Sequence, residues 1–85
     1  MPMYRLYMDS TLHAVYRDLP DKARARVAQF LLDSANDPRA ATSPYGDVDD
    51  GLMRLWASGD LAVVLLIGDQ TRTITVLSIA YAGLD

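Results

Sequence analysis

The sequence predicts an α+β domain of the order β-α-α-β-β-β, with a helical hairpin packed on an antiparallel sheet. Three observations carry this. Apolar residues recur at helical spacing through two consecutive stretches in the first half of the chain. Leu61 to Ile67 is then an unbroken apolar run of strand length. Finally, Ser58-Gly59-Asp60 and Gly68-Asp69-Gln70-Thr71 flank that run as tight turns, which makes residues 52–81 a three-strand meander.

Taken in order, residues 3–8 read as a short strand whose aromatics suit a pleated surface. Ser10 is the expected N-cap of the first helix. Behind it Leu12, Val15, Tyr16 and Leu19 form one apolar face, with His13 and Arg17 on the other side. Leu19-Pro20-Asp21 breaks the pattern, and Pro20 suits a first helical turn. The second helix runs to about Asn36. Its inward stripe is Ala23, Val27, Phe30, Leu31 and Ser34, and its outward stripe is Lys22, Arg26, Gln29 and Asp33. So short a break between helices implies an antiparallel hairpin. Residues 36–51 read as a turn-rich loop carrying the acidic residues Asp47, Asp49 and Asp50. The meander follows as Leu52–Ala57, Leu61–Ile67 and Arg72–Tyr81, with Gly59 free to take positive φ.

The middle strand carries the most information. Leu61, Val63, Leu65 and Ile67 point one way, and Ala62, Val64 and Leu66 the other. Both faces are apolar, so both should be covered. One helical hairpin covers one face. A partner chain, a second copy of this one or a curled sheet edge is expected on the other; the structural reading is that small residues and the chain ends cover it.

Composition narrows the function classes. At 85 residues the chain is one domain, 1–85, of a size that buries only roughly 60% of its unfolded surface. It has no cysteine, which excludes disulfides and thiolate metal sites, and the single histidine, His13, argues against an imidazole cluster. No metal or other cofactor is expected. All eleven acidic residues are Asp, and Lys22 is the one lysine among eight basic residues. The net charge of −3 weighs against non-specific nucleic-acid binding, which runs on phosphate neutralisation. No apolar run reaches the length of a membrane span, so no membrane contact is expected, and the expected location is the cytoplasm.

The element order and the wording of two strands resemble the RelE/ParE toxin superfamily of type II toxin–antitoxin systems. The stretches concerned are Met53-Arg54-Leu55-Trp56-Ala57-Ser58-Gly59-Asp60-Leu61-Ala62-Val63-Val64 and Ile74-Thr75-Val76-Leu77-Ser78-Ile79-Ala80-Tyr81, joined by the Leu19-Pro20 break between the helices. The resemblance spans nearly the whole chain. It rests on order and pattern rather than on an invariant motif. It implies a cognate antitoxin as partner, and a target that is either mRNA on the ribosome, cut as an endoribonuclease, or a gyrase-like protein.

Cutting RNA needs a base for the 2′-hydroxyl, a cation for the phosphate oxyanion and an acid for the leaving oxygen. The resemblance implies that these groups lie on the sheet's open face. Carried over by position, it makes Arg54 and Tyr81 the catalytic candidates. Arg54, Trp56, Arg72, Lys22 and Arg26 are the candidates for holding RNA phosphate. The chain departs from the family pattern at Asp60-Leu61, where an arginine is typical, and it has no Glu to act as base. Each candidate also has a structural reading. Arg54 and Trp56 share a strand face, as a solvated cation beside a packed ring would. A Tyr ending a strand commonly packs its ring and keeps its hydroxyl wet. Lys22, Arg24 and Arg26 suit an ordinary charged helix face, and so does His13. The acidic loop lacks the spacing of a calcium loop. Two functions follow: a toxin that cuts mRNA, or a non-enzymatic member that binds a protein target or antitoxin. A homodimer through the apolar sheet face is the further expectation.

Overall fold

A computed structural model describes residues 3–46 and 52–83. The elements are β1 (Arg5–Tyr7), α1 (Ser10–Asp18), α2 (Asp21–Asn36), α3 (Pro38–Ala41), β2 (Ser43–Pro44), β3 (Met53–Ser58), β4 (Leu61–Gly68) and β5 (Thr73–Tyr81). The expected α+β architecture is present. The sheet order is β1-β5-β4-β3-β2, antiparallel throughout except for β1, which runs parallel to β5.

The cap of α1 sits one residue earlier than expected. Asp9 is extended, and its carboxylate accepts the Leu12 N–H at 2.8 Å, so Ser10 is already helical. Pro20 ends this helix by forcing Leu19 to an extended ψ of 147°. The face expected of α1 is only shallowly used. Leu12 and Tyr16 are half-buried and Val15 is exposed, whereas Leu19 enters the core. In α2 the inward stripe is as expected, with Ala35 added. Ser34 is wholly buried and donates its hydroxyl to the Leu31 carbonyl at 3.0 Å, so burial strands no polar atom.

The stretch 36–46, expected to be loop, contains two short elements. Asp37 accepts the Ala40 N–H at 3.2 Å and Pro38 occupies the first turn, which starts α3. One helical turn is too short to show a period. β2 is two residues long and is defined only by its pairing, Ser43 with Leu55 and Pro44 with Arg54. Asp47, Asp49 and Asp50 lie outside the described residues.

In the meander, Gly59 takes φ +60° and closes the turn between the paired Ser58 and Leu61. On β4 the expected inward residues Leu61, Val63, Leu65 and Ile67 are each no more than 2% exposed. The β4–β5 ladder slips once. Val64 pairs with Ser78 but Leu65 with Val76, so Leu77 is extra on β5. That bulge shifts the alternation and lets Ile74, Val76 and Ile79 all face inward. These residues meet Val27, Phe30 and Leu31 of α2 in one core. The opposite face of β3–β5 carries Met53, Leu55, Ala57, Ala62, Val64, Leu66, Thr75 and Ala80, and the bulge leaves Leu77 42% exposed. The three helices do not cover it.

Candidate functional site

β5 separates the candidate residues, because Arg72 precedes its first residue and Tyr81 is its last. At the Tyr81 end the structure brings three candidates together. Lys22, Arg26 and Tyr81 line an open pocket of about 460 Å³ with Pro20, Asp21 and Asp60. Pro20 starts α2 here without a side-chain cap. Arg26 reaches from α2 to the β3–β4 turn. It donates to the Ser58 carbonyl at 2.5 Å and the Ser58 hydroxyl at 2.9 Å, and pairs with Asp60 at 3.2 Å. A Cβ on Gly59 would stand 3.3 Å from that guanidinium, so glycine permits the approach as well as the turn. Tyr81 is half-buried and packs its ring on the core, as the structural reading expects. The chain end crosses the Tyr81 hydroxyl at Gly83, where a Cβ would collide with the ring and with Asp60. The Ala82 N–H fixes that crossing by donating to the Asp60 carbonyl at 2.8 Å. Of the neighbouring cations, Arg24 is held by Asp21 at 2.6 Å and by the Arg17 carbonyl at 3.1 Å. Lys22 is exposed at the rim.

Arg54 is not part of this pocket. It pairs with Leu65 on the helix-facing side of the sheet and is 8% exposed. Its Nε donates to the Thr42 hydroxyl at 3.0 Å. One terminal nitrogen reaches the Thr42 carbonyl at 3.1 Å and the Arg39 carbonyl at 3.4 Å. Thr42 in turn donates to the Pro38 carbonyl at 2.6 Å. The guanidinium therefore clamps α3 and the start of β2. The structure thus places Arg54, a candidate for catalysis and phosphate binding, on the helix side of the sheet and bonded to the Thr42 hydroxyl and to the carbonyls of residues 39 and 42. Trp56 shares its face, as period two requires, and stacks on Phe30 with ring centroids 4.5 Å apart.

Arg72 lies at the other end, at φ +55°, over the Tyr4 ring at 5.8 Å. Beside it Asp69 accepts from Arg39 at 3.0 and 2.9 Å and from the Tyr4 hydroxyl at 3.1 Å. Donation from Arg39 holds the Asp69 carboxyl below the usual carboxylate range, helped by Tyr4 and opposed by desolvation. The same bond pushes Arg39 upward. His13 is exposed on α1, away from both ends, as its position on the helix suggests.

Sequence reasoning missed Ser58, Asp60 and Asp69 as the partners of the helix arginines. Arg26 and Asp60 are 34 residues apart, and no local pattern links them. The open face also differs from the expectation drawn from the resemblance. Its positions on β3, β4 and β5 carry no charged side chain, and Arg54 and Tyr81 lie on the helix side.

No family model and no curated protein matches the sequence. Solved structures do match. The RelBE2 toxin–antitoxin complex of Mycobacterium tuberculosis aligns with a TM-score of 0.77 at 21% identity, over 95% of this chain and 99% of that one. The isolated Escherichia coli RelE toxin aligns at 0.77 and 19% identity, over 96% and 87%. The archaeal RelE–RelB complex of Pyrococcus horikoshii aligns at 0.73 and 18% identity, over 98% and 99%. Their shared helical hairpin on a five-stranded sheet is the scaffold described above, and this chain has the RelE-like toxin fold.

Proposed function

We propose that this chain is the toxin of a type II toxin–antitoxin pair, restrained by a cognate antitoxin in the cytoplasm and acting by binding a protein target rather than by cutting RNA. The fold supports the toxin half of this reading. The burial of Arg54 carries the other half. Phosphoryl chemistry needs cations aimed at the developing oxyanion, and this guanidinium is spent on the carbonyls of residues 39 and 42. An uncharged sheet face with exposed Leu66 and Leu77 suits a protein surface better than a phosphate chain. A gyrase-like protein or a second copy of the chain fits that face.

The pocket at Tyr81 supports a second reading as an mRNA endoribonuclease. There Lys22 would meet phosphate, and Tyr81 would donate a proton to the leaving oxygen. Induced expression in a bacterial host, with mRNA ends mapped, separates the two. Growth arrest without ribosomal A-site cuts is the expected result. A-site cuts that vanish in Lys22→Ala and Tyr81→Phe would overturn the protein-binding reading.

A further inference from the structure

We propose that two copies of this chain associate face to face through the open side of the sheet, about a two-fold axis that crosses the strands at Val64. The inference rests on the reading of that face as a protein surface, and adds its occupant and the geometry of the contact.

The face is graded in size from one end to the other. Cross-strand pairing sets its side chains in rows. Met53 and Leu66 make a thick row, and Leu66 is 38% exposed. Val64 lies in the middle row, two residues along β4. Ala57, Ala62 and Ala80 make a thin row across all three strands. A shallow hollow of about 310 Å³ lies over these alanines. Asp60 and Tyr81 reach its rim, and the Asp60 carboxylate is paired with Arg26.

Such a wedge fits a copy of itself in one orientation. A two-fold axis between the sheets and perpendicular to the strands reverses strand direction and keeps β4 over β4. It lays Leu66 of each copy on Ala62 of the other, and Val64 meets Val64 at the axis. The summed thickness is then even along the strands, as the separation of roughly 10 Å between packed sheets requires. An axis along the strands would set Leu66 on Leu66 and leave the alanines facing a void. The contact is isologous and closes at two copies.

Charge and area both suit a second copy. Among the described residues, the β3, β4 and β5 positions of this face carry no charged side chain. The occupant must bring none either, because an unpaired ion would lose its hydration there. The chain's own face meets that condition. Three strands about 4.8 Å apart and three rows about 6.8 Å apart give a footprint of roughly 300 Å². Counting the corrugated surface of both copies, the contact buries on the order of 1,000 Å², the lower limit for a specific interface. A reversible dimer follows, not an obligate one.

The test is sedimentation equilibrium of the full chain from about 1 µM to about 1 mM. The mass should rise from 9.4 kDa to twice that, with a midpoint of about 10–100 µM. Leu66→Lys and Ala62→Asp should each weaken association about tenfold or more. Mixed in equal amounts, the two variants should associate about tenfold more tightly than either does alone, because the new ammonium of one copy meets the new carboxylate of the other. Both positions point away from the core, and rescue on mixing itself requires folded chains. A chain that remains a monomer at about 1 mM would overturn the proposal and leave the face to a different protein. Dimers that persist in both variants would overturn it too, as would a loss that mixing does not restore. Growth arrest by a chain that stays monomeric removes this inference and keeps the toxin reading. Dimers restored by mixing, without growth arrest from the unaltered chain, do the reverse.

Discussion

At the β3–β4 turn, Asp60 meets Arg26 of α2 through one contact of 3.2 Å, while the shorter bonds of that arginine go to Ser58. At the β4–β5 turn, Asp69 meets Arg39 of α3 through two bonds of 3.0 and 2.9 Å and takes a third from Tyr4. Both turns use an aspartate to tie a helix to the meander. The first tie borders a pocket and holds its arginine mainly through the turn's backbone and serine. The second saturates its carboxylate and is backed from inside by Arg54, which holds the carbonyls of residues 39 and 42. Bidentate geometry with a third donor fixes position, whereas a single long contact leaves a side chain free to rotate. The Asp69 end is therefore held from three donors, whereas the Asp60 end, which borders the pocket proposed as a site, is held by one longer contact.

Removing Arg54 tests the fastening most severely. Arg54→Ala takes a donor from two carbonyls and from the Thr42 hydroxyl and leaves a cavity, and should cost about 2–4 kcal/mol in chemical denaturation. Arg54→Lys should recover part of this, because an ammonium keeps the charge but not the fork. A loss below about 0.5 kcal/mol would show that the α3 clamp does not hold the fold.

This same residue shows where sequence reading stops. On β3, Met53, Leu55 and Ala57 are as apolar as Trp56, so alternation does not say which set faces the core. The lone arginine then looks like a solvated position. Only the pairing of Arg54 with Leu65 and of Trp56 with Val63 decides the side. In α2 the opposite holds: Ala23, Val27, Phe30, Leu31 and Ser34 form a stripe with charged residues around it, and all five are buried. β4 was legible for the same reason, since its apolar run has strand length. The parallel seat of β1 beside β5 was not, because it joins residues 68 apart, Arg5 and Thr73. Nor was the bulge at Leu77, because Leu-Ser in a strand carries no bulge signal. For the candidate site, residue types narrowed the list, but only the fold shows that Lys22, Arg26 and Tyr81 share a pocket and that Arg54 lies apart from it.

Gly59→Ala tests the Asp60 end. The substitution forces a side chain into φ +60° and places its Cβ against the Arg26 guanidinium. A loss of about 1–2 kcal/mol is expected from the backbone alone. Gly59→Asn should lose less, since asparagine tolerates this region. Arg26→Ala should cost less than either backbone or core change, about 0.5–1 kcal/mol, because its side chain is 42% exposed. It should also speed amide exchange at Ala82, whose N–H bonds the carbonyl of Asp60. Unchanged exchange there would mean that Arg26 does not order the turn.

The smallest effect concerns pH, and it tests the Asp69 tie. Arg39 first, and Tyr4 after it, hold Asp69 below its ordinary value of 3.8 in the folded chain. The folded state then binds its proton less readily than the unfolded state. The stabilisation from this group is complete above the unfolded value and is lost as pH falls through the lowered folded value. Both partners are about half exposed, so salt screens the effect and the slope is shallow. Denaturation midpoints measured on the acid side of neutrality should therefore fall less steeply in Asp69→Asn than in the unaltered chain. Arg39→Gln should flatten the same limb while leaving the carboxylate in place. An acid limb that keeps its slope in both variants would place the acid sensitivity elsewhere and reduce the β4–β5 fastening to the buried Arg54 clamp.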